Sequence, residues 1–102
     1  MAIYLILENQ IHDHEVYDRY KKAVKPMVEA AGGEYLTRDG KITVLAGDWR
    51  PSRVVIFKWP DQKTLEAFMS SPAYKPWKEL RESVTTTHTL VQVDGEGHEA
   101  ID

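Results

Sequence analysis

Val54-Val55-Ile56-Phe57-Lys58-Trp59, the stretch VVIFKW at residues 54–59, is apolar at every position from Val54 to Phe57. A strand with one wet face alternates apolar and polar side chains, whereas an unbroken apolar run bounded by a turn fits a strand covered on both faces. VVIFKW is therefore expected at the centre of a sheet, and Pro60, which lacks a ladder donor, ends it. Ile3 to Leu7 is a second run of the same kind, closed by Glu8-Asn9-Gln10.

Working outward, the apolar positions from Val16 to Ala31 recur at helical spacing, with Asp13 as the N-cap and Gly32-Gly33 as the stop. Pro26 removes a backbone donor inside that helix and is expected to bend it. EYLTR and KITVL flank Asp39-Gly40, which suits a type I′ turn, so residues 34–38 and 41–46 are expected to pair locally. Asp61 caps a second helix with Leu65, Phe68 and Met69 buried. Ser71 reads as the N-cap of a third helix with Pro72 at its first position, bearing Tyr74, Trp77, Leu80, Arg81 and Val84 on related faces. TTTHTLVQV is β-branched and partly apolar, as an edge strand is.

The order strand, helix, hairpin, strand, two helices, strand matches an α+β, ferredoxin-like split βαβ fold with a four-stranded antiparallel sheet. That topology puts the first and third main strands at the centre, where the two apolar runs belong. Helices cover only one face of such a sheet, yet the central strands are apolar on both. The second face therefore needs a partner, and a homodimer through the sheet faces is the simplest.

A chain of 102 residues, 42% of them apolar, is the size of one domain, read as residues 1–94 with a mobile acidic tail at 95–102. With 13 basic against 16 acidic side chains there is no electrostatic footprint for nucleic acid or an anionic membrane. The absence of cysteine removes disulfides, thiol nucleophiles and thiolate metal sites. The apolar run at the start is too short for a signal peptide or a membrane span, so a cytoplasmic location is expected.

Several segments together carry a family resemblance: the opening YLIL, EVYDRY, AAGGEYLTRDG, VLAGDW followed by RVVIFKWPD, and AFMSSPAYKPWKELR. In this order they resemble the domain of unknown function 1330 family (DUF1330), within the dimeric α/β-barrel superfamily. The resemblance implies a ferredoxin-like protomer, a dimer whose sheets form a barrel, and a pocket between each sheet and its helices. It implies no activity, since the wider superfamily holds cofactor-free monooxygenases of aromatic polyketides, isomerases, haem-degrading enzymes and stress-responsive proteins. The chain departs from the family in having Asp13-His14 where Asp-Pro is common, which bears on the helix start.

Among chemistry-bearing residues, His88 sits mid-strand and by alternation shares a face with Thr86, Leu90 and Gln92. It is a candidate general base, as is Asp48; the competing reading of His88 is a histidine hydrogen-bonded in a polar seam. Arg53 opens the central strand facing as Val55 and Phe57 do, and Arg38 precedes the Asp39-Gly40 turn. Both arginines can clamp a carboxylate or enolate, or else pair with Asp48 or another acid to shape the loop. Trp49 covers a flat ligand or packs on a partner subunit. Tyr17 and Tyr74 belong to an aromatic stripe that is core at its simplest, though its hydroxyls need partners and can face a cavity. Ser71 completes the candidate ligand contacts, an N-cap in its plainer reading.

His12 and His14, two residues apart beside Glu15, read as a solvated loop, and His98 as part of the tail, so no metal is expected. Neither long helix has an interior histidine for haem, and AAGGEY is a helix stop, not a phosphate loop, so no cofactor is expected. The sequence reads as a small-molecule-binding homodimer, acting as a cofactor-independent enzyme on a small carbonyl or carboxylate compound or as a non-catalytic metabolite-binding dimer.

Overall fold

VVIFKW forms β3 (Val54–Trp59), and the opening apolar run forms the first half of β1 (Ile3–Ile11), in a computed structural model that describes residues 1–95. The two strands are antiparallel neighbours, with Leu5 opposite Phe57 and Leu7 opposite Val55. β2 (Glu34–Thr37) pairs with β3, and β4 (Thr85–Asp94) pairs with β1, giving the order β2-β3-β1-β4. The fold is α+β: this four-stranded antiparallel sheet and three helices, α1 (His14–Ala31), α2 (Gln62–Met69) and α3 (Lys75–Val84). Apart from Gly95, whose amide donates to the Ala2 carbonyl at 2.8 Å, the tail expected to be mobile lies outside the described residues, as does His98.

The helix ends follow from capping chemistry. Asp13 accepts from the Val16 amide at 3.1 Å and Asp61 from the Thr64 amide at 2.7 Å, each satisfying a first-turn donor. Gly32 closes α1 at φ 105°, in the left-handed region, and the Gly33 amide reaches back to the Val28 carbonyl at 2.9 Å. α1 runs without a break through Pro26.

One face of the sheet presents Ile3, Leu7, Val55 and Trp59, none more than 5% exposed, to the helices. Tyr17, Val24 and Val28 of α1 and Leu65 and Phe68 of α2 close over it. On the other face Ile6 lies between Ile56 and Val91, and Tyr4 between Lys58 and Val93. Among the described residues no helix lies over this second face: Val91 and Val93 are 43% and 46% exposed, and even the central Ile6 and Ile56 are only half-buried.

Three local expectations fail for identifiable reasons. β1 continues through Glu8-Asn9-Gln10, because its ladder with β4 runs on to Ile11 beyond a bulge between Glu8 and Asn9. The hairpin over 34–38 and 41–46 does not form: β2 pairs with β3 alone, and 41–46 has no strand partner. A type I′ turn needs positive φ at both central residues, and only Asp39 has it, at φ 67°, while its carboxylate is held elsewhere. α3 begins at Lys75, not at Pro72, and Tyr74, not Ser71, is its N-cap. The Ser71 carbonyl, in place of its hydroxyl, takes the Tyr74 and Lys75 amides through a turn, because Pro76 has no amide to carry the ladder back.

Candidate functional site

Residues of α1 at helical spacing, Tyr17, Tyr20, Val24 and Val28, face the same side of the sheet as Leu5, Leu7, Val55 and Phe57, and between them lies a cavity of about 60 Å³. Lys21, Arg38, Arg53 and Arg81 also line it, and among the described residues no carboxylate does. Two of these cations, Lys21 and Arg53, share the Asp39 carboxylate, and Arg81 lies 3.9 Å from Glu82. Tyr17, Lys21 and Arg53 also border an open surface groove of about 460 Å³, together with Asp39 and His14, so these side chains separate cavity from solvent.

Arg53 is 9% exposed, held where strand alternation aims it, next to Val55 on the helix side of the sheet. Its Nη1 donates to the Asn9 Oδ1 at 2.9 Å and its Nε to Asp39 Oδ1 at 3.2 Å, and its guanidinium carbon lies 5.0 Å from the centre of the Tyr17 ring. Lys21 Nζ takes the other Asp39 oxygen at 2.5 Å. Partial burial raises the Asp39 pKa, but the Lys21 hydrogen bond and the Arg53 charge outweigh it and hold the carboxyl below its ordinary value. Arg38 lies over the Tyr35 ring at 4.8 Å, and burial pushes the Tyr35 phenol up to about 12. Deeper in, the Tyr20 and Tyr74 hydroxyls share a hydrogen bond of 2.8 Å. Burial, and then the neighbouring Tyr74, raise the Tyr20 pKa, so this phenol stays protonated.

Five buried side-chain polar atoms lack a hydrogen-bond partner among the described residues: Asn9 Nδ2, Arg38 Nη1, Arg53 Nη2, Trp59 Nε1 and Arg81 Nε. All five are donors, and four belong to residues that line the cavity. Each such group costs about 1–3 kcal/mol when left unmet, and only an acceptor can meet it.

Of the residues singled out from sequence, Arg38, Arg53, Tyr17 and Tyr74 come together at the cavity. The others lie elsewhere. Ser71 borders a shallow groove against α1 and α2. Trp49 is 52% exposed, its indole donating to Glu8 Oε1 at 3.1 Å on the uncovered side of the sheet, and Asp48 is exposed in the same loop. His88 is exposed in the bulge: Glu8 faces Thr89 and Asn9 faces Thr87, so His88 has no partner on β1. The extra residue also puts Thr86 and Leu90 on opposite faces, against the simple alternation. His12 contacts Thr86 Oγ1 at 2.6 Å, and no group of three potential metal ligands occurs among the described residues. Nor is any helix there long and apolar enough to cross a membrane.

Sequence reasoning passed over Arg81, Asn9, Lys21 and Tyr35. Arg81 carried a signal, since it stands seven residues after Tyr74 and four after Trp77, on the face of α3 that packs on the core. Asn9 did too, as the fourth member of the inward series Ile3, Leu5, Leu7.

The family model for the domain of unknown function DUF1330 matches residues 2–95. No curated protein sequence matches the chain. A solved protein of unknown function from Rhodopseudomonas palustris is similar with a TM-score of 0.73 at 16% identity, over 95% of this chain and 84% of that one. SnoaB, a cofactor-independent oxygenase from Streptomyces nogalater, gives 0.68 at 11% identity over 96% of each chain. An ethyl tert-butyl ether d (ethd) family protein from Bacillus halodurans gives 0.56 at 15% identity, over 94% and 99%. At these identities the likeness is one of fold.

Proposed function

The chain belongs to the DUF1330 family, and from that premise and the chemistry of the cavity we propose a homodimeric protein that binds a small carboxylate or carbonyl compound between sheet and helices. Four unpartnered buried donors on residues that line an enclosure with no acidic side chain among the described residues carry this reading. A carboxylate meets two guanidinium edges at once, in the fork geometry for which arginine is suited. Size limits the occupant: a cavity of roughly 150 Å³ takes up benzene, and this one is about 60 Å³. A compact molecule of a few heavy atoms fits, and a polycyclic aromatic does not.

The homodimer rests on the uncovered sheet face, where Ile6, Ile56 and Val91 lie side by side on three strands. A second copy would bury that face without further machinery. Trp49 and the loop around Asp48 flank it and would meet the partner.

A second reading is cofactor-independent proton transfer or oxygenation of the same compound, the cavity donors holding an enolate oxygen. SnoaB, which shares the fold, is a cofactor-independent oxygenase. This reading needs a base at the cavity. Neither His88 nor Asp48 lines it, and among the described residues no other histidine or carboxylate does. Binding without catalysis makes no such demand and is the conclusion the geometry supports best.

Thermal unfolding with propanoate and with its neutral amide tests the binding reading, since a ligand that binds only the folded state raises the midpoint. The acid should raise it, the amide should not, and Arg53→Gln should abolish the shift. A panel of short acids that leaves the midpoint unchanged contradicts the reading.

A further inference from the structure

The cavity donors fall into two groups on different elements. Arg38, just after β2, and Arg53, just before β3, form one group, with Arg53 also bordering the surface groove. Tyr20 of α1 with Tyr74 and Arg81 at α3 form the other, joined by the Tyr20–Tyr74 hydrogen bond.

Two hydroxyls carry two hydrogens, and only one can lie between the oxygens. Neither hydroxyl has another partner among the described residues, so a phenolic hydrogen is left without an acceptor beside the unmet Nε of Arg81. Tyr20 and Arg81 are close enough for the guanidinium charge to act on the phenol. Both phenols are buried, with Tyr20 at 8% and Tyr74 at 3% exposure. Leu5, Leu7, Val55, Phe57 and Leu90 in the same lining offer contact only to carbon.

We infer that the cavity is built for a short organic acid bearing a second acceptor oxygen, an oxo or hydroxy acid, with its carboxylate at Arg38 and Arg53 and its second oxygen at Tyr20, Tyr74 and Arg81. The inference rests on the anion-binding reading above and adds the second recognition point. Tyr20 and Tyr74 are thereby specificity-determining residues. A site that hydrogen-bonds a ligand oxygen discriminates strongly against the analogue without it, because its buried donors are then left unpaired.

Calorimetric titration of the full chain with propanoate, lactate and pyruvate, three acids that differ at one carbon, tests this directly. Pyruvate or lactate should bind at least tenfold more tightly than propanoate. Tyr74→Phe should remove most of that advantage by weakening pyruvate and lactate at least tenfold more than propanoate, and Tyr20→Phe, if it folds, should do the same. Equal affinities for the three acids in the unaltered protein, or an advantage that survives Tyr74→Phe, overturns the second recognition point and leaves the anion site standing. Failure of all three acids to bind overturns both.

Discussion

Arg53 donates to Asn9 across 2.9 Å, a guanidinium 9% exposed held by an amide with no exposure at all. The partner is neutral. An amide oxygen orients this edge of the guanidinium without adding a charge, while Asp39 holds the Nε edge at 3.2 Å and Nη2 is left without a partner among the described residues. A carboxylate at position 9 would orient it equally well but would itself be the anion.

The two effects separate by substitution. Asn9→Ala removes the acceptor and strands a buried charged donor, which should cost about 1–3 kcal/mol in urea denaturation. Asn9→Asp should keep the fold yet weaken the binding of a short acid at least tenfold in calorimetry, because the ligand then competes with an internal carboxylate. Unchanged acid affinity in Asn9→Asp would show that Arg53 is not the anion anchor.

Asp39 ties the mouth of the cavity through Lys21 and Arg53, and its pKa is lowered in the folded state. A depressed carboxyl contributes stability that is present above its unfolded pKa, near 3.8, and is lost as pH falls through the folded value. Unfolding free energy should therefore drop below pH about 4, and Asp39→Asn should flatten that part of the profile. An Asp39→Asn profile that parallels the unaltered protein contradicts this.

Gly33 is held by close approach. A Cβ there would lie 2.8 Å from both Trp59 Cζ2 and Val28 Cγ1, two of the most deeply buried side chains in the core. Gly33→Ala should destabilise by about 1–3 kcal/mol, the usual range for overpacking. At Gly47, φ 89° with nothing within 4 Å of a Cβ, alanine should meet backbone strain alone and cost less.

Ile6 and Val91 face each other across β1 and β4 on the uncovered side of the sheet. Ile6→Lys or Val91→Glu should convert a dimer to a monomer in sedimentation analysis with the circular dichroism spectrum unchanged. A monomer at micromolar concentration in the unaltered protein rules out the dimer.

The sheet order was legible because VVIFKW and the run from Ile3 to Leu7 both lack the alternation of an edge strand, and only the two central positions accept such runs. Arg53 was legible for the related reason that strand alternation ties it to Val55. His88 was not, since one extra residue in β4 reverses the facing of everything before it, and a bulge leaves no mark in composition. The Asp39-Gly40 pair was misleading as well: its local preference for a hairpin yields to an ion pair with Lys21 and Arg53, residues 18 and 14 positions away. Asn9 was taken for the end of a strand because it is polar, whereas it is polar in order to hold a buried guanidinium.

The most direct test of the anion cavity is a crystal structure of the protein soaked in propanoate. Carboxylate density is expected inside the cavity, within hydrogen-bond distance of Arg53 Nη2 and Arg38 Nη1. A cavity holding only water at saturating propanoate, with the acid confined to the surface, would contradict the account.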